Sequence, residues 1–249
     1  MISVVIPTYN EAAFIGTLLE SLAWQEVGEP VEVIVADSRS RDATREIAES
    51  FRNKFAGLLI VDGGTPAVGR NRGAHVSSGD PIFFIDADLK LHDPAFLARN
   101  IKYFRLHHLA AASVRLVPQS DKWFDHFLVE LYNLLLWPAI FIRPLGSMCI
   151  VADRSVFGKT GGYPEDVAMA EDHDFVLRCS RLGRYRIMPV RAHFNIRRFD
   201  KEGRLSLVIK YLRASISRVF RGPITAFEYE FGYFEEDRAH RSDGNRSRE

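Results

Sequence analysis

Short apolar runs alternate with segments of helical periodicity along the first 85 residues of the chain. The runs are rich in β-branched or aromatic residues and predict buried strands at residues 2–6, 31–35, 58–61 and 82–85. The segments between them predict helices that begin at Asn10, Asp42 and Asn71. Because strands and helices alternate at this spacing, we expect a parallel sheet with right-handed crossovers.

The second half of the chain is less regular, and its most hydrophobic stretch covers residues 124–142. One interpretation is a buried helix that Pro138 kinks or ends, and the other is a segment at a membrane interface. Further patterns predict strands at 146–152 and 186–194, a helix at 171–182 and an amphipathic helix at 205–220. The polar stretch 235–249 has no hydrophobic period and predicts disorder.

The composition is that of one soluble α/β domain. A chain of 249 residues can bury a sizeable core but is short for two full domains. Hydrophobic residues make up 47%, charged residues 26%, and the net charge is +1, so nothing indicates a nucleic-acid partner. The chain has no uncharged apolar stretch of about 18 residues, and its N-terminus lacks the features of a signal peptide.

The two cysteines, Cys149 and Cys179, form no C-x-x-C pair. Both lie in apolar surroundings, which predicts buried and inert thiols. Because this use of cysteine fits a reducing compartment, we expect a cytoplasmic location.

Acidic residues follow the predicted strands where a ligand site of a parallel sheet would lie. Asp37 ends the second strand, and Asp86-Ala87-Asp88 follows the fourth. Two carboxylates at positions i and i+2 can face one cation, and Mg²⁺ and Mn²⁺ prefer such oxygen ligands. A solvated turn with a helix cap is the alternative interpretation.

A second acidic group, Glu171-Asp172 with Asp174 nearby, opens the predicted helix at 171–182. Acidic residues in a first helical turn interact favourably with the helix dipole. A carboxylate here can instead act as a general base that accepts the proton of an incoming hydroxyl. Position alone leaves both interpretations open.

Taken together, these motifs resemble those of the family 2 glycosyltransferases, in the family's order, from about residue 2 to about residue 195. The matching segments are VVIPTYNE at 4–11, VIVADSRSRDAT at 33–44, RNRG at 70–73, GD at 79–80, FIDAD at 84–88, GGY at 161–163, ED at 171–172 and Arg178. The resemblance implies an α/β fold of the GT-A type, with a mostly parallel nucleotide-binding sheet flanked by helices and a C-terminal amphipathic helix. It assigns residues 1–90 to donor binding and 91–222 to the acceptor side of a single domain, followed by an extension at 223–249.

The resemblance also implies a donor pocket for a UDP-, GDP- or dTDP-sugar. Pro7, Tyr9 and Glu11 would line the nucleotide pocket. Asp37 would hydrogen-bond the base, and Arg70 would lie near the ribose or the phosphates.

Catalytic roles follow from the same resemblance. Asp86 and Asp88 would hold the sugar and a divalent cation, with Asp88 as the direct ligand. His193 matches a further metal-ligand position, although a packed or surface histidine is an equal interpretation. Glu171 would contact substrate, and Asp172 would be the base of a single displacement that inverts the anomeric centre.

The chain departs from the family pattern at two positions of the second-strand motif. Ser38 replaces its second aspartate and Arg39 replaces its glycine. The Gln-x-x-Arg-Trp motif of processive synthases is absent from the sequence, which favours transfer of one sugar by a hexosyltransferase-like enzyme. The acceptor could be lipid-linked, a polysaccharide end, a protein or a small metabolite. The basic helix predicted at 205–220 would either contact the inner face of the membrane or pack on the protein surface.

Three alternatives remain at this point. A retaining enzyme on the same fold would use Asp172 to bind the acceptor. A sugar-phosphate nucleotidyltransferase is disfavoured, because the glycine-rich loop expected after the first strand is replaced by Pro-Thr-Tyr-Asn-Glu. A non-catalytic protein that binds nucleotide sugars would tolerate the changes at Ser38 and Arg39.

Overall fold

The computed structural model describes residues 1–204, 206 and 224–225, with the side chains of all but 135–142, 168, 169, 198, 202, 224 and 225. Its strands are β1 (Ile2–Thr8), β2 (Val31–Asp37), β3 (Gly57–Asp62), β4 (Ile82–Ile85), β5 (Leu89–Lys90), β6 (Leu109–Gln119), β7 (Cys149–Ala152), β8 (Val167–Met169), β9 (Arg184–Asn195) and β10 (Ile224–Thr225). Its helices are α1 (Ile15–Ala23), α2 (Thr44–Ser50), α3 (Pro66–Val76), α4 (Phe96–Leu106), α5 (Trp123–Ile142), α6 (Arg154–Thr160), α7 (Glu171–Leu182) and α8 (Arg197–Glu202), with a 3₁₀ turn at Arg52–Lys54.

Eight strands form one sheet in the order β3-β2-β1-β4-β7-β6-β9-β5. The first four strands in this order are parallel, as is the pair of β6 and β9. β7 runs antiparallel to β4 and β6, and β5 runs antiparallel to β9. The sheet is therefore mostly parallel and flanked by helices, which confirms the predicted fold class. The C-terminal amphipathic helix, apart from residue 206, and the disorder predicted beyond it lie outside the described residues.

The order of the strands creates a crevice at the carboxyl ends of β1 and β4. The chain adds β2 and β3 on one side of β1 and then returns through α3 to add β4 on the other side. Ligands of open α/β sheets bind where the direction of addition reverses. Asp37 ends β2 and Asp86 directly follows β4, as the sequence predicts.

The central strands are buried on both faces, which explains their continuous apolar runs. α1 and α4 cover one face of the sheet, and α3, α6 and α7 cover the other. α3 approaches β1 closely at Gly73, because a Cβ atom there would strike the side chain of Val5. Cys149 and Cys179 are buried and unpaired, and burial raises the pKa of both thiols, in agreement with inert cysteines.

Two predicted helix starts are wrong. α1 begins at Ile15 instead of Asn10, because Asn10 has a left-handed backbone (φ 53°) that a helix does not accept. α3 begins at Pro66, five residues before Asn71, because proline suits the first helical position and the Thr65 side chain accepts a bond from the Val68 N–H.

The long strand β6 was not predicted, since its first half is rich in alanine and alanine favours helices. Its strand conformation comes from its neighbours β7 and β9. Beyond Ser113, where the pairing with β7 ends, the side-chain amide of Asn133 bonds the backbone of Leu116: it accepts from the N–H (3.1 Å) and donates to the carbonyl (2.8 Å).

Helix α5 continues to Ile142, so Pro138 does not end it. Its inner face buries Asp125, Val129 and Asn133. Its outer face exposes the apolar side chains Trp123, Phe127, Leu131 and Leu134. The expectation of a fully buried helix is therefore wrong for this face, and the membrane-interface interpretation stays a prediction. Within the described ranges, no helix is long and apolar enough to span a membrane.

Candidate functional site

The ends of β1 and β2 are joined through the carboxylate of Asp37, which is fully buried. Its Oδ1 accepts hydrogen bonds from the hydroxyls of Thr8 (3.0 Å) and Ser40 (2.5 Å). Its Oδ2 accepts from the Ser40 N–H (3.1 Å) and from Nη1 of Arg45 (3.3 Å). An ionised carboxylate has about four acceptor positions, so the chain itself occupies those of Asp37.

The turn after β1 is held against the loop after β2. The Asn10 N–H donates to the Ser40 hydroxyl (2.9 Å), and the Glu11 N–H donates to the Thr44 hydroxyl (2.8 Å). The side chain of Asp42 accepts from the N–H of Ala12 (3.0 Å). This local network fixes the backbone that carries Tyr9, which is half-buried, and Glu11.

The two departures from the family motif are accommodated in this loop. The Ser38 hydroxyl donates to the Gly64 carbonyl (2.6 Å) and accepts from the Gly64 N–H (2.9 Å), which joins the ends of β2 and β3. Arg39, which replaces the glycine of the motif, has a left-handed backbone (φ 61°) that glycine adopts without strain, and its side chain is exposed.

Arg70 on α3 links the two acidic groups that the sequence singles out. Nη2 donates to Oδ1 of Asp86 and Nη1 donates to Oε1 of Glu171, both at 2.7 Å. The Arg70 side chain is only 9% exposed, and its guanidinium lies 5.2 Å from the ring centroid of Tyr163. Burial opposes the charge of Arg70, but the two carboxylates outweigh burial and raise its pKa.

The next residue on α3 holds the Gly-Gly-Tyr turn. The side chain of Asn71 accepts from the Tyr163 N–H (2.8 Å) and donates to the Tyr163 carbonyl (2.9 Å). Gly162 has φ +78°, and a Cβ atom there would strike Oδ1 of Asn71, so glycine is required. This contact fixes the segment that leads to α7.

The N-terminus of α7 presents Glu171 and Asp172 on the same side of the sheet as Arg70. Ala170 turns the chain into the helix with a left-handed backbone (φ 62°). Burial raises the pKa of Glu171, and Asp172 adds to this effect, while Arg70 opposes it. Asp172 is 20% exposed, and Gly146 passes so close to it that a Cβ atom on Gly146 would lie 2.7 Å from its Oδ2.

Asp172 stays ionised at neutral pH. Burial acts to raise its pKa, but the contacts with His173 and the charge of Arg70 outweigh burial and lower the pKa to about 2. Nδ1 of His173 lies 3.0 Å from Oδ1 of Asp172 and 3.1 Å from the Gly146 nitrogen. Nδ1 cannot both donate to Asp172 and accept from the Gly146 N–H, so the ring makes one of these two contacts at a time. The backbone N–H of His173 donates to Oδ1 of Asp172 (2.8 Å) whichever contact the ring makes.

A second arginine reaches the crevice from α8. Nη2 of Arg197 donates to Oε1 of Glu11 (2.6 Å) and lies 3.3 Å from Oδ2 of Asp88. The guanidinium also lies 4.5 Å from the ring centroid of Phe14. Asp88 is 4% exposed, and its carbonyl accepts from the Asn195 N–H (3.1 Å), which ties it to β9.

These residues can be compared with those of known proteins. The model of glycosyl transferase family 2 matches residues 3–157, more than half of the chain. The chain belongs to glycosyl transferase family 2. Family membership makes it a glycosyltransferase, and the resemblance read from its motifs is confirmed.

One relative and two solved structures are similar to this chain. A PGL/p-HBAD biosynthesis glycosyltransferase of Mycobacterium tuberculosis is 30% identical over 72% of this chain and 69% of its own length. TarS of Staphylococcus aureus, solved with UDP-GlcNAc, has a TM-score of 0.63 at 22% identity, over 78% of this chain and 58% of that one. The mannosyltransferase PcManGT of Pyrobaculum calidifontis, solved with GDP-Man and Mn²⁺, has a TM-score of 0.62 at 24% identity, over 85% and 64%. This glycosyltransferase thus spans about three fifths of either solved chain.

The residues of this glycosyltransferase fit a divalent cation that arrives with its donor. No group of three acidic, histidine or cysteine side chains that could hold a metal occurs among the residues the structure describes. However, Mg²⁺ is commonly held by one or two carboxylates together with substrate phosphates, and Asp86 and Asp88 offer two carboxylates. Nδ1 of His193 is buried without a hydrogen-bond partner within the described residues. Burial, His92 and nearby cations lower the pKa of His193 to about 4, so its imidazole is neutral at pH 7, the form in which histidine binds metals.

Most of the predicted site residues converge on the crevice. Arg70 contacts both Asp86 and Glu171, and Arg197 contacts both Glu11 and Asp88. Pro7 packs instead under α3, where a Cβ atom on Gly69 would lie 3.5 Å from its Cβ. The roles assigned to these residues stay predictions.

Sequence reasoning missed three residues of the site: Gly146, His173 and Arg197. Gly146 matters because it passes over Asp172, and no local pattern indicates such a close approach. Arg197 is 109 positions from Asp88, so only the pairing of β9 with β5 brings them together. A single basic residue after a predicted strand gives no signal that would have found it.

Proposed function

We propose that the protein transfers one sugar from a nucleotide-sugar donor to an acceptor hydroxyl, with inversion and with the help of a divalent cation. One observation carries this proposal. Arg70 binds Asp86 after β4 and Glu171 at the start of α7, which brings the predicted cation site and the predicted base to one crevice. The motif order and the family membership support the same assignment.

Residues 1–90 form the donor half in this proposal, with Pro7, Tyr9 and Glu11 along the nucleotide. Asp37 contacts the base only if one of its four present donors leaves. Arg45 is the partner that a base would displace, because it is 45% exposed and has the longest of the four contacts. UDP-, GDP- and dTDP-sugars are all candidate donors, and relatives have been solved with UDP-GlcNAc and with GDP-Man.

Asp88, Asp86 and His193 are the residues we assign to the cation. A divalent cation bound there would stabilise the negative charge that develops on the departing diphosphate. Arg70 keeps Asp86 oriented for this role through its 2.7 Å contact, because a buried guanidinium with two carboxylate partners has little freedom to turn.

Asp172 is the base in the proposed reaction. It is ionised, partly exposed and adjacent to Glu171, which we assign to substrate binding. A carboxylate with a pKa of about 2 is a weak base in the free protein. An acceptor hydroxyl competes with His173 for this carboxylate, so we expect the pKa of Asp172 to rise when the acceptor binds. Direct attack by the activated hydroxyl on the anomeric carbon inverts that centre.

Residues 91–222 form the acceptor half. We infer that one sugar is transferred, because the motif of processive synthases is absent from the sequence. A lipid-linked or polysaccharide acceptor remains our expectation. Apart from residue 206, the basic segment 205–220, for which we expect membrane contact, lies outside the described residues.

Binding and turnover of purified protein test the proposal. Thermal unfolding is measured with UDP-, GDP- and dTDP-sugars, each with Mn²⁺ or with a chelator, and we expect one class to raise Tm only with Mn²⁺. With that donor, Asp172→Asn should lower transfer about 10²–10⁴-fold, while the variant stays folded at the assay temperature. Glu20→Gln, which changes an exposed carboxylate on α1, is the matched control.

The outcomes separate the alternatives. Full activity of Asp172→Asn would remove Asp172 as the base. Retention of configuration, read from the product by NMR, would identify a retaining enzyme. Donor binding without turnover over a broad acceptor panel would favour the non-catalytic interpretation.

A further inference from the structure

Arg197 occupies a position in the crevice that the proposed reaction gives to a cation. Its guanidinium contacts Glu11 at 2.6 Å and Asp88 at 3.3 Å. The two carboxylates come from the turn after β1 and the turn after β4, and they are 13% and 4% exposed. Buried carboxylates that lie this close to one point require a positive charge between them.

The backbone around Arg197 aims its side chain at this point. The Asn195 side chain accepts from the Arg197 N–H (2.8 Å), while the Asn195 N–H donates to the Asp88 carbonyl (3.1 Å). Arg197 is therefore the first residue of α8 and is tied to the segment that carries Asp88. The far end of the helix is held by Arg204, which binds Asp125 on α5 and Asp200 on α8.

A divalent cation at Asp88 and the guanidinium of Arg197 cannot both keep this carboxylate. Arg197 lies 3.3 Å from Oδ2 of Asp88, and two positive charges at one carboxylate repel each other. A guanidinium that leaves Asp88 remains next to the crevice, where the donor's diphosphate would provide oxygens in the geometry that arginine binds best.

Resting on the proposed function, we propose that Arg197 is a positioning residue that exchanges partners. It neutralises Asp88 and Glu11 while the crevice holds neither cation nor donor. When the cation binds, Arg197 leaves Asp88 and binds the donor diphosphate. The competition weakens cation binding to the empty protein and makes tight cation binding depend on the nucleotide.

Equilibrium binding tests this exchange without an activity assay. Mn²⁺ binding to nucleotide-free protein is measured by the EPR signal of free Mn²⁺, for wild type, Arg197→Ala, Arg197→Lys and Arg105→Ala. Arg105 is the matched control, because it lies on α4 and binds Glu29, not the crevice. We expect Arg197→Ala to bind Mn²⁺ alone about tenfold more tightly, Arg197→Lys to be intermediate, and Arg105→Ala to match wild type.

The nucleotide gives the second readout. With saturating Mn²⁺, UDP and GDP should bind Arg197→Ala about tenfold more weakly than wild type, and Arg197→Lys should recover part of the loss. Arg197→Ala should also have a lower Tm than wild type in a chelator, and Mn²⁺ should restore most of the difference, because it supplies the missing charge.

The exchange is overturned if Arg197→Ala binds Mn²⁺ no more tightly than wild type, including the case in which neither binds it. If wild type binds nucleotide in the presence of Mn²⁺ but Arg197→Ala shows no gain in Mn²⁺ affinity, the proposed function stands and the exchange is wrong. A gain in Mn²⁺ affinity with no binding of UDP, GDP or their sugars would remove the proposed donor site, while the competition between Arg197 and a cation would stand.

Discussion

Two buried carboxylates in the crevice, Asp37 and Asp88, are stabilised in different ways. Asp37 is bonded by Thr8, Ser40 and Arg45, all within 29 positions of it in the chain. Asp88 depends on Arg197, and its neighbour Asp86 depends on Arg70. The region assigned to the nucleotide base is thus completed by its own loops, whereas the region assigned to cation and acceptor is assembled from distant parts of the chain.

The largest effect that tests this comparison is expected at Arg70. Arg70→Met leaves Asp86 and Glu171 without their common partner and should lower the free energy of unfolding by about 3–4 kcal/mol. Arg45→Met removes a 45% exposed partner of Asp37 and should cost about 0.5 kcal/mol. Urea unfolding at pH 7 measures both, and equal losses would contradict the distinction between the two regions.

Gly162 tests the contact between Asn71 on α3 and the Gly-Gly-Tyr turn before α7. In Gly162→Ala the new Cβ atom strikes Asn71 and the residue must keep φ +78°, so we expect a loss of about 2–3 kcal/mol. Gly161→Ala has a similar φ (+73°) but no atom within 4 Å of the new Cβ, and it should lose about 1 kcal/mol. If thermal unfolding shows the same loss for both, the contact with Asn71 does not matter.

The adjacent carboxylates Glu171 and Asp172 should respond to pH in opposite directions. The pKa of Glu171 is raised above 4.5, so its contribution to stability falls as the pH rises from 4.5 through the raised value. The pKa of Asp172 falls from 3.8 to about 2, so its contribution, about 2 kcal/mol, is complete above pH 3.8 and is lost as the pH falls towards 2. Urea unfolding between pH 2.5 and about 7 measures this pH dependence. Glu171→Gln and Asp172→Asn should each remove one of the two slopes. If the stability of both variants depends on pH as that of wild type does, neither pKa is shifted.

The smallest effect is expected in the locally completed region. Arg39 holds a left-handed conformation and its side chain is exposed, so Arg39→Gly should raise the free energy of unfolding by about 0.5–1 kcal/mol. Arg41→Gly, a neighbouring position outside the left-handed region, serves as the control and should not gain stability. A loss of stability in Arg39→Gly would indicate that the arginine side chain contributes a contact of its own.

The donor half was largely predictable, because its strands are short apolar runs and its acidic residues directly follow them. Asp37 and Asp86 could be placed at strand ends from the sequence alone. The helix boundaries were less predictable: the left-handed backbone of Asn10 and the cap at Thr65 depend on contacts that periodicity does not encode.

The acceptor side was predicted only in fragments. Glu171 was assigned to a helix start correctly, but its contact with Arg70 spans 101 positions. The alanine-rich start of β6 favours a helix locally and becomes a strand only between β7 and β9. Arg197 and Gly146 act through tertiary contacts that leave no mark on local spacing.

The amide of Asn133 has a consequence for the solution behaviour of the protein. The stretch of β6 beyond its pairing with β7 would otherwise present a free N–H and carbonyl at Leu116, and such strand edges recruit the strands of other molecules. Asn133 supplies one donor and one acceptor there, as a neighbouring strand would. Its loss should therefore lead first to self-association at high protein concentration, well before the monomer loses its fold.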